Sequence, residues 1–486
     1  MTINLSLTGA AGDVGRSAPV AFALPSGRQV TRAEFEAIIS AAARRLRALG
    51  ISVGDIVVVA IDHPFRTLVL QLALARIGAA AAPVGFPGKL AAACLAESPQ
   101  PAGSHRRLLY VERAWFHPPS GAHDPSPVEP QGDPDAPAIV LGSSGTGGAV
   151  KCMAVSHARM AARLAIAERD VPIPSGARVL TTMGAFGGYG FITMLRALRA
   201  GATVVVDPGS TKTADALATE RVAYLVSAPG KINSIVRAQP EGGGLHPSLR
   251  TIEFGGARLG DAAIAAIRAR LCDELRIVYG STEIGFVAGG TLPHGRIPDG
   301  WVGRVFDGVE AQAVDDALVP LSAGRTGRLR IRGAGLVDGY VGDAEATDRN
   351  FRDGWFLTGD LASVSAGGEL SLVGRADELI NVGGNKVDPV VTEDALLAVP
   401  WVRDAAVFEV PKQDEGMAIW AAVVASGPID VAQLESAVRE RPGAGIPRFV
   451  LPVPEIPRNA GGKVLRERLV ALAIEARARF GAAKAR

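Results

Sequence analysis

This 486-residue chain contains few cysteines and few aromatic residues, and its positive and negative charges nearly balance. Its three cysteines, Cys94, Cys152 and Cys272, lie far apart and form neither a C-x-x-C pair nor a cluster with histidine. This spacing excludes the usual zinc-binding patterns and is typical of a protein in a reducing compartment. The net charge is only +2, which argues against a nucleic-acid-binding protein, because such proteins carry a strong basic excess.

Long apolar runs are also missing. The most apolar tract starts at Leu68 and is broken by Gln71, Arg76 and Gly78, so it predicts a helix followed by a strand and no membrane span. The N-terminal residues lack a basic stretch followed by an apolar block, and no signal peptide is expected. These features together predict a cytoplasmic protein.

Helix and strand patterns alternate over the first 300 residues or so. The segment Thr31–Gly50 has apolar residues at helical spacing, with a threonine in N-cap position and a glycine at its end, and it predicts a helix. The β-branched run Asp55–Asp62 predicts a buried strand. Further strand-like runs follow at RVLTTM, ATVVVD, VAYLVS, RTIEFGG and LRIVYG, separated by helical patterns. The alternation predicts an α/β fold whose parallel sheets are covered by helices.

The length favours two or three domains, since it exceeds what one hydrophobic core usually supports. After Gly300 the pattern changes to short strands and turns, which predicts a β subdomain at about 300–376 within a large N-terminal domain, 1–376. A new alternation of helices and strands begins near Glu378. It predicts a small C-terminal α+β domain, 377–486.

The stretch LGSSGTGGAVKC, from Leu141 to Cys152, is rich in glycine and hydroxyl groups. It is not the G-x-x-x-x-G-K-[ST] phosphate loop, because Gly147–Gly148 or Val150–Lys151 stands where that motif needs Gly-Lys. Its backbone N–H groups and hydroxyls can still surround an oligophosphate, and Lys151 adds a positive charge. On its own, the stretch is equally well interpreted as a flexible linker.

Two further stretches carry polar residues next to strands. In YGSTEIG, Tyr279–Gly285, the Thr282 hydroxyl can donate to a phosphate oxygen and the Glu283 carboxylate can hold Mg²⁺. In WFLTGDLA, Trp355–Ala362, Asp360 is predicted to lie in a tight turn after a strand. That position suits a carboxylate that accepts hydrogen bonds from ribose hydroxyls.

Two more such stretches lie towards the C-terminus. GRADELINVGGNK, Gly374–Lys386, places Arg375 beside Asp377 in a predicted linker. PRNAGGKVLRERL, Pro457–Leu469, presents Lys463 on a glycine loop before a predicted helix. Each of these stretches is weak evidence alone, because Gly-Asp turns and Gly-Gly-Lys loops are common.

In this order and at these separations, the five stretches resemble the acyl-adenylate-forming superfamily. That superfamily includes acyl- and aryl-CoA ligases, the adenylation domains of peptide synthetases, and luciferases. The resemblance covers nearly the whole chain, beginning with the Thr31–Gly50 helix. It implies that ATP and Mg²⁺ convert a carboxylic acid to acyl-AMP with release of pyrophosphate. A pantetheine thiol, of coenzyme A or of a carrier protein, would then take the acyl group and release AMP.

The resemblance also implies roles for individual residues. Thr282, Glu283, Lys151 and Lys463 would be catalytic, with Glu283 on the metal and Lys463 on the substrate carboxylate and α-phosphate. The residues implied to bind ATP or AMP are Ser143, Ser144, Gly145, Thr146, Gly147, Gly148, Gly256, Ala257, Arg258, Tyr279, Gly280, Ser281, Thr282, Asp360, Arg375 and Lys463.

The acid pocket is implied to be lined by Phe186, Gly187, Tyr189, Gly255, Gly256 and Gly280. Gly187 stands where acyl and aryl ligases often carry a histidine, and GAFGGYG contains no aspartate that could pair with an ammonium group. The pattern therefore favours a neutral acyl or aryl acid over an α-amino acid. Gly383 and Gly384 match the glycines of the pantetheine channel, although a simple turn is the alternative interpretation. Asp377 matches the hinge between the two domains.

Three functions stay open on the sequence alone. The chain is an acid–CoA ligase, a free-standing enzyme that loads an acyl or amino acid onto a carrier protein, or a non-catalytic nucleotide-binding relative. The presence of Thr282, Glu283, Asp360, Arg375 and Lys463 together disfavours the third. Arg106 and Arg107 are candidate contacts for the 3′-phosphate of coenzyme A. No nucleic-acid partner is expected, and a homodimer is left open.

Overall fold

The structure is a computed structural model that describes residues 19–98, 107–118, 133–144, 150–209, 212–239, 244–375, 380–382, 385–411, 417–441, 444–458 and 464–484. Its fold is mixed α/β, as the alternating patterns predict, with a large N-terminal domain of sheets and helices, a β subdomain and a C-terminal domain. Within the described ranges, no helix is long and apolar enough to cross a membrane.

The helices begin and end where local sequence signals place them. Thr31 caps the first helix through a reciprocal capping box with Glu34, which satisfies two backbone N–H groups of the first turn. Pro64, Pro229 and Pro389 occupy first-turn positions, where a missing N–H costs nothing. The helices are α1 (Arg32–Ala48), α2 (Pro64–Arg76), α3 (His157–Asp170), α4 (Gly188–Arg199), α5 (Thr213–Thr219), α6 (Pro229–Ala238), α7 (Asp261–Arg270), α8 (Ala344–Asn350), α9 (Pro389–Leu397), α10 (Val431–Arg439) and α11 (Arg466–Lys484).

The strands are β1 (Val20–Ala23), β2 (Gln29–Thr31), β3 (Ile56–Ala60), β4 (Ala80–Ala82), β5 (Ala93–Ala96), β6 (Leu108–Tyr110), β7 (Pro137–Ser144), β8 (Val150–Ser156), β9 (Arg178–Thr181), β10 (Thr203–Val206), β11 (Tyr224–Ser227), β12 (Thr251–Gly255), β13 (Glu274–Ser281), β14 (Gly285–Thr291), β15 (Trp301–Val305), β16 (Val309–Val314), β17 (Gly327–Gly333), β18 (Phe351–Arg352), β19 (Trp355–Val364), β20 (Glu369–Arg375), β21 (Ile380–Val382), β22 (Asn385–Val387), β23 (Val402–Pro411), β24 (Met417–Ala425) and β25 (Phe449–Pro452). Many are β-branched runs, which favour extended backbone.

The largest sheet has 14 strands in the order β16-β17-β19-β20-β15-β14-β13-β12-β11-β9-β10-β1-β2, with β18 paired to β19. Strands β1, β10, β9, β11, β12 and β13 are parallel neighbours. From β13 onwards the pairing is antiparallel. The β subdomain therefore continues the same sheet as the parallel part, and residues of both are held in one rigid hydrogen-bonded ladder.

A second sheet has the order β6-β5-β3-β4-β7-β8. One cluster of buried apolar residues connects it to the 14-stranded sheet, since Val57 and Ile139 of the smaller sheet share this core with Leu225 and Ile252 of the larger. The C-terminal end of β7 and the start of β8 carry the beginning and end of the LGSSGTGGAVKC stretch.

The C-terminal residues form their own small sheet, β23-β24-β25, beside the β21–β22 hairpin. Successive residues of β23 point to opposite faces. Val407 lies in the cluster that also contains Leu396 of α9 and Leu434 of α10, whereas Phe408 lies in the cluster that contains Leu469 of α11. Helices thus cover both faces of the small sheet.

Two predictions about local structure are wrong. Asp360 does not lie in a turn, and Arg375 does not lie in a linker: they occupy β19 and β20 and face each other as a cross-strand pair. Gly359 has φ of +82°, and the register shifts between Leu361 and Ala362. A glycine and a bulge inside a strand give the same sequence signal as a turn, which is why the pattern misleads.

Candidate active site

Three stretches of predicted site residues lie at or just beyond the carboxyl ends of parallel strands. Phe186 to Tyr189 follow β9, Gly255 ends β12 and is followed by Gly256 to Arg258, and Tyr279 to Ser281 end β13 and are followed by Thr282 and Glu283. In parallel α/β sheets this edge is where ligands bind, because the loops that follow the strands converge there. The parallel part of the fold thus gathers three of the predicted stretches.

Tyr279, Asp360 and Arg375 form one hydrogen-bonded group across β13, β19 and β20. The Tyr279 phenol donates to Oδ2 of Asp360, and Nη1 of Arg375 lies 3.4 Å from Oδ1. Burial and the neighbouring carboxylate raise the pKa of Tyr279 well above its usual value, so the phenol stays protonated and donates. The structure therefore brings together three residues that the sequence implied for nucleotide binding.

Thr282 and Glu283 lie in the turn between β13 and β14. Arg163 of α3, only 1% exposed, holds this turn from behind. Its Nη1 and Nη2 donate to the main-chain oxygens of Thr282 and Glu283, at 3.1 and 2.7 Å, and its Nε donates to that of Gly335 at 2.9 Å. Sequence reasoning missed Arg163. The available signal was an arginine three residues after Met160 on the apolar face of a helix.

The Glu283 carboxylate is buried and accepts a hydrogen bond at Oε1 from the Tyr340 phenol, over 2.9 Å. Burial and Glu283 raise the pKa of Tyr340, which keeps the phenol a donor. The ammonium of Lys151 lies 4.9 Å from the centroid of the Tyr340 ring, within the range of a cation–π contact. Tyr340 thus connects two predicted catalytic residues, and sequence reasoning missed it.

The two groups are neighbours. The positive charge of Arg375 opposes the rise in pKa of both Tyr279 and Tyr340. This arginine therefore interacts electrostatically with the group formed by Tyr279 and Asp360 and with the group formed by Glu283, Tyr340 and Lys151. Among the described residues, Oε2 of Glu283 accepts no hydrogen bond. A carboxylate with one oriented and one available oxygen fits Mg²⁺, which proteins bind through one or two carboxylates together with substrate phosphates.

Only some of the implied acid-pocket residues lie close to one another. A Cβ placed on Gly255 would lie 3.2 Å from Cε1 of Tyr189, so these two residues are in contact. Gly187 is exposed and caps α4, and Phe186 packs against the main core. A Cβ on Gly280 would lie 2.3 Å from the carbonyl oxygen of Gly285. Close approach of two strands therefore accounts for Gly280, with no pocket needed.

Glu253, a residue that the sequence did not single out, is fully buried on β12 beside Tyr189. Its carboxylate accepts hydrogen bonds from Tyr189, Tyr224 and Arg196. The sequence of β12, TIEFG, does not reveal the role of Glu253. Every residue of this central strand is buried, so the usual alternation of apolar and polar residues is absent.

Arg258 faces the small domain. Together with Asp394 of α9 and Arg441 it lines a cavity of about 40 Å³. Burial raises the pKa of Asp394 to about 6, and the charges of Arg258 and Arg441 oppose the rise. Gly256 has φ of +83°, a conformation that favours glycine. Gly256 and Ala257 are both exposed at this edge.

A larger cavity, of about 470 Å³, lies between the large and small domains. Thr182 and Ala228, at the ends of β9 and β11, form its inner side, and Arg403 and Arg458 belong to its outer side. The Arg237 guanidinium crosses the junction and donates to the carbonyl oxygen of Arg403 over 2.9 Å. The strand ends are therefore reached from the domain junction.

Several implied residues lie outside the described residues: Gly145, Thr146, Gly147, Gly148, Asp377, Gly383, Gly384 and Lys463, and the candidate coenzyme A contact Arg106. For Ser143 and Ser144 only the backbone is described, as the end of β7. Arg107, the other candidate coenzyme A contact, donates to the carbonyl oxygen of Leu49. Ser281 closes β13 beside Gly280.

Comparison with known proteins places this geometry in context. The sequence profile of the AMP-binding enzymes matches residues 89–341, and that of the AMP-binding enzyme C-terminal domain matches residues 392–463. The 4-coumarate–CoA ligase-like protein 9 of Arabidopsis thaliana is 31% identical to this chain. The matched region covers 73% of this chain and 65% of the length of that relative. The indoleacetate–CoA ligase of Aromatoleum aromaticum is 30% identical over 71% of the chain and 69% of its own length.

Among solved structures, the amide bond synthetase McbA of Marinactinospora thermotolerans superimposes with a TM-score of 0.75 at 26% identity, over 94% of this chain and 97% of its own. The first profile alone covers more than half of the chain. The chain therefore belongs to the AMP-binding enzymes of the acyl-adenylate-forming superfamily.

Proposed function

We propose that this protein is an AMP-forming acid–thiol ligase that activates an aryl or acyl carboxylic acid as its adenylate and transfers the acyl group to coenzyme A. The observation that carries the proposal is the meeting of the Glu283–Tyr340–Lys151 group with the Tyr279–Asp360–Arg375 group at the end of β13. One group is suited to phosphate and metal, the other to a ribose, and together they define a nucleotide orientation.

The first half-reaction joins two anions. The substrate carboxylate oxygen forms a bond to the α-phosphorus of ATP while the bond from that phosphorus to the bridging oxygen breaks, and pyrophosphate leaves. A Mg²⁺ ion held by Glu283 would neutralise phosphate charge as a Lewis acid. Tyr340 orients the Glu283 carboxylate, and Arg163 fixes the main chain that carries it. Preorganisation of this kind lowers the barrier, because no group must reorient as charge develops.

Binding of the nucleotide follows from the second group. Asp360 accepts hydrogen bonds from the ribose hydroxyls, in an orientation set by Tyr279 and Arg375. Ser143 to Gly148 bind the β- and γ-phosphates, with Lys151 as their counter-charge, and Gly256 to Arg258 lie along the adenine. Lys463 contacts the substrate carboxylate and the α-phosphate.

In the second half-reaction the thiol of coenzyme A loses its proton to solvent and its sulfur forms a bond to the acyl carbon, while the bond from that carbon to the phosphate oxygen breaks and AMP leaves with that oxygen. Gly383 and Gly384 line the channel for the pantetheine arm after the small domain has turned at Asp377. The relatives named as CoA ligases support coenzyme A as the acceptor. The carrier-protein alternative uses the same channel and is separated from this proposal by the acceptor in the assay below.

The test measures acid-dependent pyrophosphate release from ATP and Mg²⁺ over a panel of aryl, short-chain, medium-chain and β-amino acids, with hydroxylamine as acceptor. Lys463→Ala is expected to abolish release while ATP still binds, whereas Lys89→Ala, at an exposed lysine, keeps it. Acyl-CoA formation on addition of coenzyme A supports the proposed acceptor. Transfer only to a phosphopantetheinylated carrier protein supports the alternative. Acid-dependent release in Lys463→Ala at the level of the unmutated protein overturns the proposed active site.

A further inference from the structure

The carboxyl of Asp394, on α9 of the small domain, lies against Gly260 of the large domain. A Cβ placed on this glycine would be 3.0 Å from Oδ1 and 3.2 Å from Cγ of Asp394. Gly260 is the N-cap residue of α7 and has φ of −73°, a value that any residue can adopt. The close approach of a carboxyl from the other domain, and not the backbone conformation, therefore accounts for a glycine at this position.

Charged side chains of both domains surround this contact. Asp394 lines the cavity of about 40 Å³ together with Arg258 of the large domain and Arg441 of the small one. The groups that line this cavity or act on the charge of Asp394 are two arginines and three carboxylates: Arg258, Arg441, Asp261, Asp299 and Asp388. Carboxylates outnumber the arginines, so no excess of positive charge is available to an ionised Asp394.

Ionisation of Asp394 is unfavourable while the two domains are in contact. The carboxyl is half-buried, and the described part of the chain gives it no hydrogen bond. Burial raises its pKa from 3.8 to about 6, against the attraction of Arg258 and Arg441. Part of this burial comes from Gly260 and the large-domain wall of the cavity. Separation of the domains would therefore move the pKa back towards its ordinary value.

The direction of the pH effect follows from this rise. A carboxyl with a higher pKa in contact than in water takes up a proton when the contact forms. Protonation of Asp394 therefore strengthens the contact between the domains at acidic pH, and this contribution is lost as pH rises through about 6.

The large-domain side of the contact ends a predicted nucleotide-binding segment. Gly256, Ala257 and Arg258 are proposed to lie along the adenine, and Gly260 comes two residues later. The connection between β12 and α7 consists only of residues 256 to 260. Fixing Gly260 therefore restrains the residues that precede it in this short connection.

We infer that Asp394 is a positioning residue that couples the small domain to the nucleotide segment 256–260, and that the uncharged form of its carboxyl makes the stronger contact. The inference rests on the proposed function, in which this segment contacts the adenine, and adds a pH-dependent contribution from the other domain. A segment that is already restrained loses less freedom when a nucleotide binds, and so the nucleotide binds more tightly.

Spin labels measure the contact between the domains without any nucleotide. They are attached in Ala218→Cys/Ala432→Cys, at exposed positions of α5 and α10, whereas the three native cysteines are buried. Double electron–electron resonance then gives the ratio of molecules with the domains in contact to molecules with the domains apart. From pH 8 to pH 5 this ratio is expected to rise about three- to tenfold; tenfold corresponds to a pKa rise from 3.8 to about 6 caused entirely by the contact.

Asp394→Asn keeps the size of the side chain and removes its ionisation. In this variant the ratio is expected to stay within twofold between pH 8 and pH 5, near the value of the unmutated protein at pH 5. Glu440→Gln, at an exposed carboxylate of the same domain, is the matched control and keeps the full pH dependence.

Two glycines test the contact surface itself. Gly260→Ala places a Cβ against the Asp394 carboxyl and is expected to lower the ratio at least threefold at both pH values. Gly295→Ala adds a Cβ that meets nothing within 4 Å and leaves the ratio within twofold. Thermal melting verifies that each variant is folded.

Calorimetry of AMP binding tests the coupling to the nucleotide. At pH 8 the unmutated protein is expected to bind AMP about three- to tenfold more weakly than Asp394→Asn, following the expected change in the domain contact. At pH 5 the two Kd values agree within twofold. The phosphate of AMP titrates in the same way in both experiments, so the ratio of the two Kd values isolates Asp394.

An equal change of the spin-label ratio with pH in the unmutated protein and in Asp394→Asn would overturn the inference. A Kd ratio that is the same at pH 5 and pH 8 would overturn it too. Failure of the proposed function has a different signature, because pyrophosphate release is then absent for every acid while the spin-label distances still change with pH in the unmutated protein and not in Asp394→Asn.

Discussion

The Tyr340 phenol and the Glu283 carboxylate are joined by a hydrogen bond of 2.9 Å, although 57 residues separate them in the chain. The ring that orients the carboxylate also faces the Lys151 ammonium, 4.9 Å from its centroid. One aromatic side chain therefore touches both an anionic and a cationic member of the candidate active site.

Tyr340→Phe removes the hydrogen bond and keeps the ring under Lys151. A hydrogen bond to a charged group contributes about 1.5–3 kcal/mol, so adenylation at limiting Mg²⁺ is expected to fall about 10- to 100-fold, with partial recovery at saturating Mg²⁺. Pyrophosphate release against Mg²⁺ concentration measures this. Tyr110→Phe, at a tyrosine that is 56% exposed, is the matched control. An identical Mg²⁺ dependence in both variants would contradict the role given to Tyr340.

Arg163→Met is expected to destabilise the large domain by about 3 kcal/mol or more, because it removes the donor from the buried carbonyl oxygens of Glu283 and Gly335 and from the half-buried one of Thr282. Arg159→Met, four residues earlier on the same helix, breaks only an ion pair with the exposed Asp338 and should cost less than about 1 kcal/mol. Urea unfolding of both variants gives the difference. Equal midpoints would show that Arg163 does not support the turn.

Glu393 gives a pH prediction for the small domain. Burial raises its pKa to about 7, against the opposing effects of Arg466 and of the Val407 N–H. A carboxyl with a raised pKa in the folded state contributes stability that is complete below about pH 4.5 and is lost as pH rises through about 7. Glu393→Gln removes this dependence, so its melting temperature minus that of the unmutated protein should increase from pH 5 to pH 8. A constant difference over that range would contradict the prediction.

Two glycines of the β subdomain form a matched pair. Both have positive φ, +99° at Gly303 and +85° at Gly308, but a Cβ at Gly303 would lie 2.1 Å from the carbonyl carbon of Gly289, whereas nothing lies within 4 Å at Gly308. Gly308→Ala should cost about 1–2 kcal/mol for its backbone conformation alone. Gly303→Ala must also separate β14 from β15 and is expected to cost several kcal/mol more or to prevent folding. Equal urea midpoints would refute the close contact.

Local sequence signals account for the parts of the fold that depend on near neighbours. The Thr31–Glu34 capping box predicts the start of α1, and β-branched runs predict the strands of the parallel sheet. Asp360 is an exception, because Gly359 and a bulge inside β19 give the same local signal as a chain reversal. The resemblance to the acyl-adenylate-forming superfamily implies that Thr282, Glu283, Asp360 and Arg375 belong to one site.

The residues that the sequence did not reveal act over long separations. Arg163 and Glu253 are charged residues with almost no exposure, and polar residues are ordinarily assigned to solvent-facing positions. Only their partners explain them, and those partners lie 119 to 172 residues away for Arg163 and 29 to 64 residues away for Glu253, on other elements. The role of Tyr340 cannot be predicted from the sequence for the same reason, since no local pattern connects this residue to Glu283.

The small sheet β23–β25 pairs with no strand of the 14-stranded sheet within the described part of the chain. The contacts that cross the junction there include the Arg237–Arg403 hydrogen bond and the Asp261–Arg441 ion pair at 4.0 Å, which involve exposed side chains. Water replaces such contacts at little cost. Because no main-chain ladder joins the two domains there, separating them would break side-chain contacts and leave every described strand of both sheets paired.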